Sequence, residues 1–251
     1  MKNNFYFKKN KCNIYIKPTT KSEVVSQILY GERFSIISKR NKWIKIKTIY
    51  DNYTGFIKND KFIKNFKPSH KISKLKSQIF KKIHNKFIPI NKFIYFASRI
   101  TLRKQNAIFI EFEKDKWIKK KDVKNINHSE KKFIKIFKLF LKTKYLWGGK
   151  SCDGIDCSAL IQIYFYYNNL FFPRDTKDQI KYCKKISKLS YKSGNIIFWK
   201  GHVGICLKNN YFIHAYGPKK KVLIMKTDKT IKLIEKTASL KIKKISNIKN
   251  Y

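Results

Sequence analysis

The chain has 251 residues, with 59 lysines and arginines against 15 aspartates and glutamates, a formal charge of +44. Its 43% hydrophobic and 16% aromatic content supports real packed cores, excludes a disordered basic tail, and at this length allows one to three domains. Only Arg33, Arg40, Arg99, Arg103 and Arg174 are arginines, so the charge lacks the bidentate fork that reads bases.

The excess of lysine, isoleucine, asparagine and aromatics is spread evenly and reads as AT-rich coding bias. No specific nucleic-acid partner is expected, although weak attraction to polyanions would follow in either case. Cys12, Cys152, Cys157, Cys183 and Cys206 are odd in number and without repeated spacing, which argues against a disulfide framework. No CxxC pair suggests zinc, so neither a metal nor a cofactor is expected. No apolar stretch of about 7–15 residues follows Met1 as a signal peptide requires. The longest apolar run, Leu160 to Phe172, is broken by Gln162, Asn168 and Asn169 and is too short to span a bilayer. The expectation is a soluble protein of a reducing, cytoplasmic compartment, with the periplasm or cell wall as the alternative.

Residues 1–67 alternate apolar with polar in five short stretches, Cys12–Ile16, Val24–Leu29, Phe34–Ile37, Trp43–Ile46 and Tyr53–Ile57. Tyr30-Gly31-Glu32 and Asp51-Asn52 supply the turns, so a small β-barrel is expected, ending near Lys67-Pro68-Ser69. Residues 68–126 contain strand-like Phe93–Phe96, Ala107–Phe112 and Trp117-Ile118. They are expected to form a second, degenerate barrel; a single larger β region with long insertions is the alternative.

Residues 127–251 open with Phe133, Ile136, Phe137, Phe140 and Leu141 at helical spacing, with Ser129 as the expected N-cap. A glycine-rich aromatic loop, Tyr145-Leu-Trp-Gly-Gly, leads into Asp156-Cys157-Ser158 and a helix expected to run to about Tyr167. Pro173-Arg174-Asp175-Thr176 opens another short helix. Strands are expected near Asn195–Trp199, Val203–Leu207, Tyr211–Ala215 and Val222–Met225, giving an α+β layer pair. The lysine-rich end after Leu240 is expected to fray.

One cysteine thus sits at the first turn of a helix, where the positive helix end favours a thiolate. His202 and His214 lie in strand-like segments about twelve residues apart, a spacing that lets them face each other on adjacent antiparallel strands. Cys157 as nucleophile, His202 as base and later acid, and His214 as orienter of His202 make a thiol-peptidase triad. The plainer alternative for any one of these residues is ordinary packing. Cys152 and Cys183 have no matched histidine and are read as non-catalytic.

Tyr145-x-Trp-Gly-Gly, Gly154-x-Asp-Cys-Ser, Gly-His202-Val-Gly and His214, in that order, resemble the NlpC-type cell-wall cysteine peptidases, permuted relatives of papain. Gln27-x-Leu29-Tyr30-Gly31-Glu32, Trp43 and Tyr53-x-Gly55-Phe56-Ile57 resemble bacterial SH3-like domains. The resemblance implies a multidomain protein: N-terminal all-β SH3-like barrels (1–67, 68–126), then an α+β permuted papain-like peptidase domain (127–251). It implies a γ-D-glutamyl-L-diamino acid endopeptidase acting on peptidoglycan stem peptides in muropeptide recycling. The alternatives are an exported wall hydrolase docked by its SH3-like modules, and a wall- or polyanion-binding protein without turnover.

For the site, the resemblance implies that the Tyr145 hydroxyl joins the Cys157 N–H near the oxyanion. Asp156 and Ser158 would hold the free amino group and backbone of a short peptide, and Asp175 and Thr176 would line the specificity pocket. Glu32 and Tyr53 would close the cleft over the substrate N-terminus. Helix capping is the plainer role for Asp156, Asp175 and Thr176, and a turn residue and a core aromatic for Glu32 and Tyr53. Ala159 and Asn195 stand where the family usually has glycine and aspartate.

Overall fold

The computed structural model describes residues 4–60, 62–186 and 191–249. By contact it forms two compact units, Met1–Ser129 with Tyr167–Asn169, and Glu130–Tyr166 with Leu170–Tyr251.

The first unit begins with β1 (Asn4–Tyr6), β2 (Lys11–Tyr15), β3 (Val24–Leu29), β4 (Arg33–Arg40), β5 (Trp43–Thr48) and β6 (Thr54–Lys58). They pair in the order β1-β4-β5-β6-β2-β3. Alternation places every second residue inward, as in β5, where Ile44 and Ile46 are buried between partly exposed Trp43, Lys45 and Lys47. With Phe7, Ile14, Ile28, Phe34 and Ile57 they make the core. Register shifts at Ile14/Tyr15 and Ile36/Ser38 bend the sheet. The five expected strands are present, and β1 is an unforeseen sixth.

Eight further strands follow: β7 (His70–Ile72), β8 (Lys76–Ile83), β9 (Lys86–Tyr95), β10 (Arg99–Ile100), β11 (Lys104–Gln105), β12 (Phe109–Glu113), β13 (Lys116–Lys119) and β14 (Val123–Asn125). They form two sheets, β10-β7-β14 and β11-β12-β13-β8-β9. Ile72, Ile79, Ile94, Ile100, Ile110, Phe112 and Ile118 pack into a separate core, joined by Tyr30. The β8–β9 hairpin turns through His84 and Asn85, both at positive φ (44° and 61°), the conformation that two-residue hairpin loops need.

The second unit contains α1 (Phe133–Leu139), the short pair β15 (Lys150–Ser151) and β16 (Gly154–Ile155), α2 (Cys157–Tyr167) and α3 (Thr176–Tyr182). A five-stranded antiparallel sheet follows, built from β17 (Asn195–Trp199), β18 (His202–Cys206), β19 (Tyr211–Tyr216), β20 (Lys221–Lys226) and, after α4 (Thr227–Ala238), β21 (Lys244–Asn247). Its order is β20-β19-β18-β17-β21. Helix α2 is apolar on nearly all sides, and Ala159, Leu160, Ile161, Ile163 and Phe165 are fully buried, as a central helix requires.

Two expectations fail here. Ser129 does not cap α1, whose N-cap residue is Lys132 without a side-chain cap bond. Because the helix starts at Phe133, the Ser129 hydroxyl donates instead to Asn168 Oδ1 at 3.1 Å. The described residues after Leu240 do not form a frayed tail: β21 pairs with β17 from Asn195↔Asn247 to Phe198↔Lys244. Ile245 and Ile248 supply buried apolar anchors, and Lys244 Nζ donates to the carbonyls of Ile180 and Cys183, 2.7 Å each. That ammonium satisfies carbonyls that the end of α3 leaves open. Among the described residues, no helix is long and apolar enough to cross a membrane.

Candidate active site

Cys157 is the first residue of α2 and is buried, at 4% exposure. The thiol donates to the Gly201 carbonyl (3.9 Å) and accepts from the Val203 N–H and the Thr176 side chain. Gly201 and Val203 flank His202, so the sulfur lies against the chain on both sides of that residue. Its hydrogen bonds among the described residues do not include the His202 ring itself.

Burial, then the Asp156 carboxylate, pushes the thiol up to about 12 from 9.0; the Val203 N–H, Thr176 and Arg174 oppose this. Burial alone moves His202 down to about 4. Burial therefore favours the neutral thiol and the neutral imidazole over the ion pair at rest, against the pull of the helix end toward a thiolate. Magnitudes explain why: a helix N-terminus offers about 0.3–2 kcal/mol, whereas raising a thiol from 9.0 to about 12 corresponds to about 4 kcal/mol.

The two histidines do meet. His202 Nε2 lies 2.9 Å from His214 Nδ1, with β18 and β19 adjacent in the sheet. His202, partly buried, starts β18 opposite Trp199 of β17. His214 is completely buried and held well below its ordinary value by desolvation and then by His202. Gly204 makes the room: a Cβ there would lie 2.5 Å from the Phe212 ring and 2.9 Å from His214 Cβ. When His202 donates through Nε2–H, its basic lone pair is on Nδ1. A neutral imidazole with one nitrogen committed to an orienter is what a general base for a thiol requires.

Asp156 is the N-cap of α2. Its Oδ1 accepts from the Ala159 N–H (2.8 Å), the Ser158 hydroxyl (3.1 Å) and Arg174 (3.0 Å), and its Oδ2 from the Gly148 N–H (3.0 Å) and Arg174 (2.7 Å). One carboxylate thus joins the nucleophile helix to the Tyr145 loop. That loop folds tightly because Gly149 has no Cβ, which would lie 2.4 Å from the Gly154 carbonyl oxygen. The Arg174 guanidinium also donates to the Ser158 hydroxyl (2.9 Å). The capping role of Asp156 is therefore visible directly, and with the Ser158 and Arg174 donors it fills the roughly four acceptor sites of the carboxylate.

Tyr145 is half-buried. Desolvation and the neighbouring Cys157 and Asp156 hold its phenol above the ordinary value, in the protonated form that can donate. Thr176 reaches the thiol. Asp175 precedes α3 but makes no side-chain cap bond; its carbonyl accepts from Asp178 and Gln179. In the first unit, buried Glu32 accepts from the Leu29 N–H (3.0 Å), closing the Tyr30-Gly31 turn, and the Tyr53 hydroxyl donates to the Val25 carbonyl (3.4 Å). Ala159 is fully buried, and Asn195 accepts from Asn247 Nδ2 (2.9 Å), tying β17 to β21.

Three contributors escape a reading of the sequence. Arg174 carried a usable signal, as the sole arginine of residues 127–251 in a chain that otherwise spends lysine. Gln179, whose amide donates to the carbonyls of Ser158 and Pro173 (2.9 Å each), gave none, and Gly204 was visible only as the last residue of the Gly-His202-Val-Gly motif, which does not reveal the room it makes for His214.

A cysteine on the first turn of a buried helix, set against a strand pair that carries two hydrogen-bonded histidines, defines a thiol hydrolase. Residues 142–237 match the NlpC/P60 family and residues 11–61 the bacterial SH3 domain; the chain carries an NlpC/P60 domain behind a bacterial SH3 domain. It is 25% identical over 230 residues to dipeptidyl-peptidase 6 of Lysinibacillus sphaericus, covering 81% of this chain and 84% of that one. It is 24% identical over 237 residues to the gamma-D-glutamyl-L-lysine dipeptidyl-peptidase of Bacillus subtilis (strain 168), covering 84% and 79%. An NlpC/P60 family protein from Bacillus cereus ATCC 10987 shares the fold, with TM-score 0.74 and 18% identity over 89% of this chain and 94% of that one.

Proposed function

We propose that the protein is a cysteine peptidase that hydrolyses the bond between γ-D-glutamate and a diamino acid in peptidoglycan stem peptides. The observation that carries the chemistry is the 2.9 Å bond from His202 to His214 beside a thiol held by Gly201 and Val203. The substrate follows from likeness to relatives named for that cleavage.

His202 takes the Cys157 proton as the sulfur attacks the γ-carbonyl carbon, and the oxyanion is met by the Tyr145 hydroxyl and the Cys157 N–H. The tetrahedral adduct collapses with the C–N bond breaking, and the His202 proton goes to the leaving amine. A thioester remains on Cys157. Water, deprotonated by His202, attacks that carbonyl and releases the γ-D-glutamyl carboxylate and the thiol. Asp175 and Thr176, at the start of α3, line the pocket for the residues before the scissile bond. The neutral resting pair means that the thiol proton moves during attack instead of beforehand.

The second β region is a diverged SH3-like barrel, supported by its own core. Cys12, Cys157, Cys183 and Cys206 are free thiols, in keeping with a reducing compartment and the recycling of released stem peptides. Purified protein incubated with L-Ala-γ-D-Glu-L-Lys should release L-Ala-γ-D-Glu, and Cys157→Ala, folded by circular dichroism, should release none. Folded wild-type protein that cleaves no stem peptide of this kind, with either diaminopimelate or lysine in third position, would refute the substrate assignment.

A further inference from the structure

The pair of histidines raises a mechanical question. A single hydrogen bond joins His202 to His214, and the buried Nε2 of His214 has no hydrogen-bond partner among the described residues. An aspartate or asparagine orienter is usually fixed by further hydrogen bonds of its own, and this imidazole must be fixed by packing. The ring that packs it is Tyr216. Its plane lies 16° from that of His214 with centroids 4.8 Å apart, and its centroid is also 5.6 Å from that of His202.

Register explains why one ring reaches both. Ile205 pairs with Ile213 and Cys206 with Phe212, and continuing that antiparallel step brings Tyr216 opposite His202. Tyr216 is itself buried, at 5% exposure, and its hydroxyl lies 2.8 Å from Thr237 Oγ1 on α4. Thr237 gives its only hydroxyl proton to the Leu233 carbonyl (2.7 Å), so the tyrosine must be the donor. A chain of contacts therefore runs from the α4 backbone through Thr237 and the Tyr216 ring to the imidazoles.

We propose that Tyr216 is a positioning residue for the catalytic histidines, its ring clamped by Thr237 and holding His214, and through it His202, in the orientation that serves the thiol. This rests on the peptidase reading above but adds a residue that the triad does not contain. Tyr216→Phe keeps the ring and loses the tether; Thr237→Val loses the same tether from the other side. Each should lower kcat by roughly threefold, the worth of one net hydrogen bond, with KM unchanged, and the double variant should be no worse than either alone.

Tyr216→Leu removes the flat ring and should lower kcat at least tenfold. By letting water reach the imidazoles, it should also move the acid limb of kcat/KM upward in pH, whereas a merely structural role would lower thermal stability and leave that limb in place. Histidine titration by NMR separates the two hypotheses, because it needs no substrate. If the stem peptide is not cleaved but the His202 titration still rises toward 6.5 in Tyr216→Leu, the substrate reading fails and the clamp stands. If folded Tyr216→Leu keeps wild-type kcat and wild-type histidine titration, the clamp is overturned.

Discussion

Arg174 grips Asp156 with both terminal nitrogens, at 3.0 Å to Oδ1 and 2.7 Å to Oδ2, and both side chains are almost wholly buried. The pair lies immediately behind the nucleophile, so the α2 N-terminus is held by an ion pair as well as by a cap. Removing one partner would leave the other as an uncompensated buried charge. Arg174→Met should therefore cost about 3–5 kcal/mol of stability, measured by urea denaturation. Arg174→Lys should recover part of it, because an ammonium cannot reproduce the two-pronged contact. A Met variant as stable as wild type would show that Asp156 is held adequately by its backbone donors.

Tyr145 offers a sharper separation of chemistry from packing. Its phenol is kept protonated by burial and by the negative charge that the thiol and Asp156 can carry. Tyr145→Phe preserves the ring, which lies 3.6 Å from where a Cβ on Gly217 would be, and deletes only the donor. Loss of an oxyanion donor costs on the order of 100-fold in kcat, so kcat should fall by about that factor with little change in KM or thermal midpoint. Unchanged kcat would make Tyr145 a packing residue.

Gly204 tests the space on which the histidine pair depends. A methyl at this position meets Phe212 and His214 well inside van der Waals contact, and both belong to a strand packed on either side. Gly204→Ala should cost about 1–3 kcal/mol through overpacking. Unlike an overpacked site elsewhere in the sheet, it should also reduce kcat, because His214 cannot move without carrying its bond to His202. Measuring kcat beside the denaturation midpoint distinguishes the two; a destabilised variant with full kcat would show that the pair tolerates displacement.

How legible the site was in the sequence depended on the kind of signal each residue left. The nucleophile and both histidines were readable because each sits inside a local pattern: glycine-aromatic loop to helix for Cys157, apolar strand segments for His202 and His214. Strands β17 to β20 followed from alternation and turn residues in the same way. Arg174, Gln179 and Tyr216 act across 16 to 21 positions of sequence or more, and no local periodicity encodes such partners. β21 was hidden because the lysines around and within it read as solvated tail, whereas in the sheet Lys244 caps α3 and Ile245 faces the core. The opposing pulls on the thiol are unequally legible for a related reason: the helix end is visible in sequence, but the depth of burial that raises the thiol is not.

That burial has a consequence for stability against acid. His202 is displaced from 6.5 to about 4 by desolvation, and His214 lies well below 6.5 for the same reason with His202 adding to it. In the unfolded chain both imidazoles take up protons as the pH falls through 6.5, while in the folded protein His202 does so only near 4. Over that window the unfolded state binds more protons, so stability is intact above about 6.5 and is lost progressively down to about 4. For His202 the loss amounts to roughly 3 kcal/mol, and His214 contributes in the same direction. Urea denaturation at pH 7.0 and pH 4.5 should show the drop, and His214→Asn and His202→Asn should each flatten it, since asparagine has no proton to gain. An equal fall in the variants would assign the acid sensitivity to carboxylates elsewhere and leave the two imidazoles solvated in the folded state.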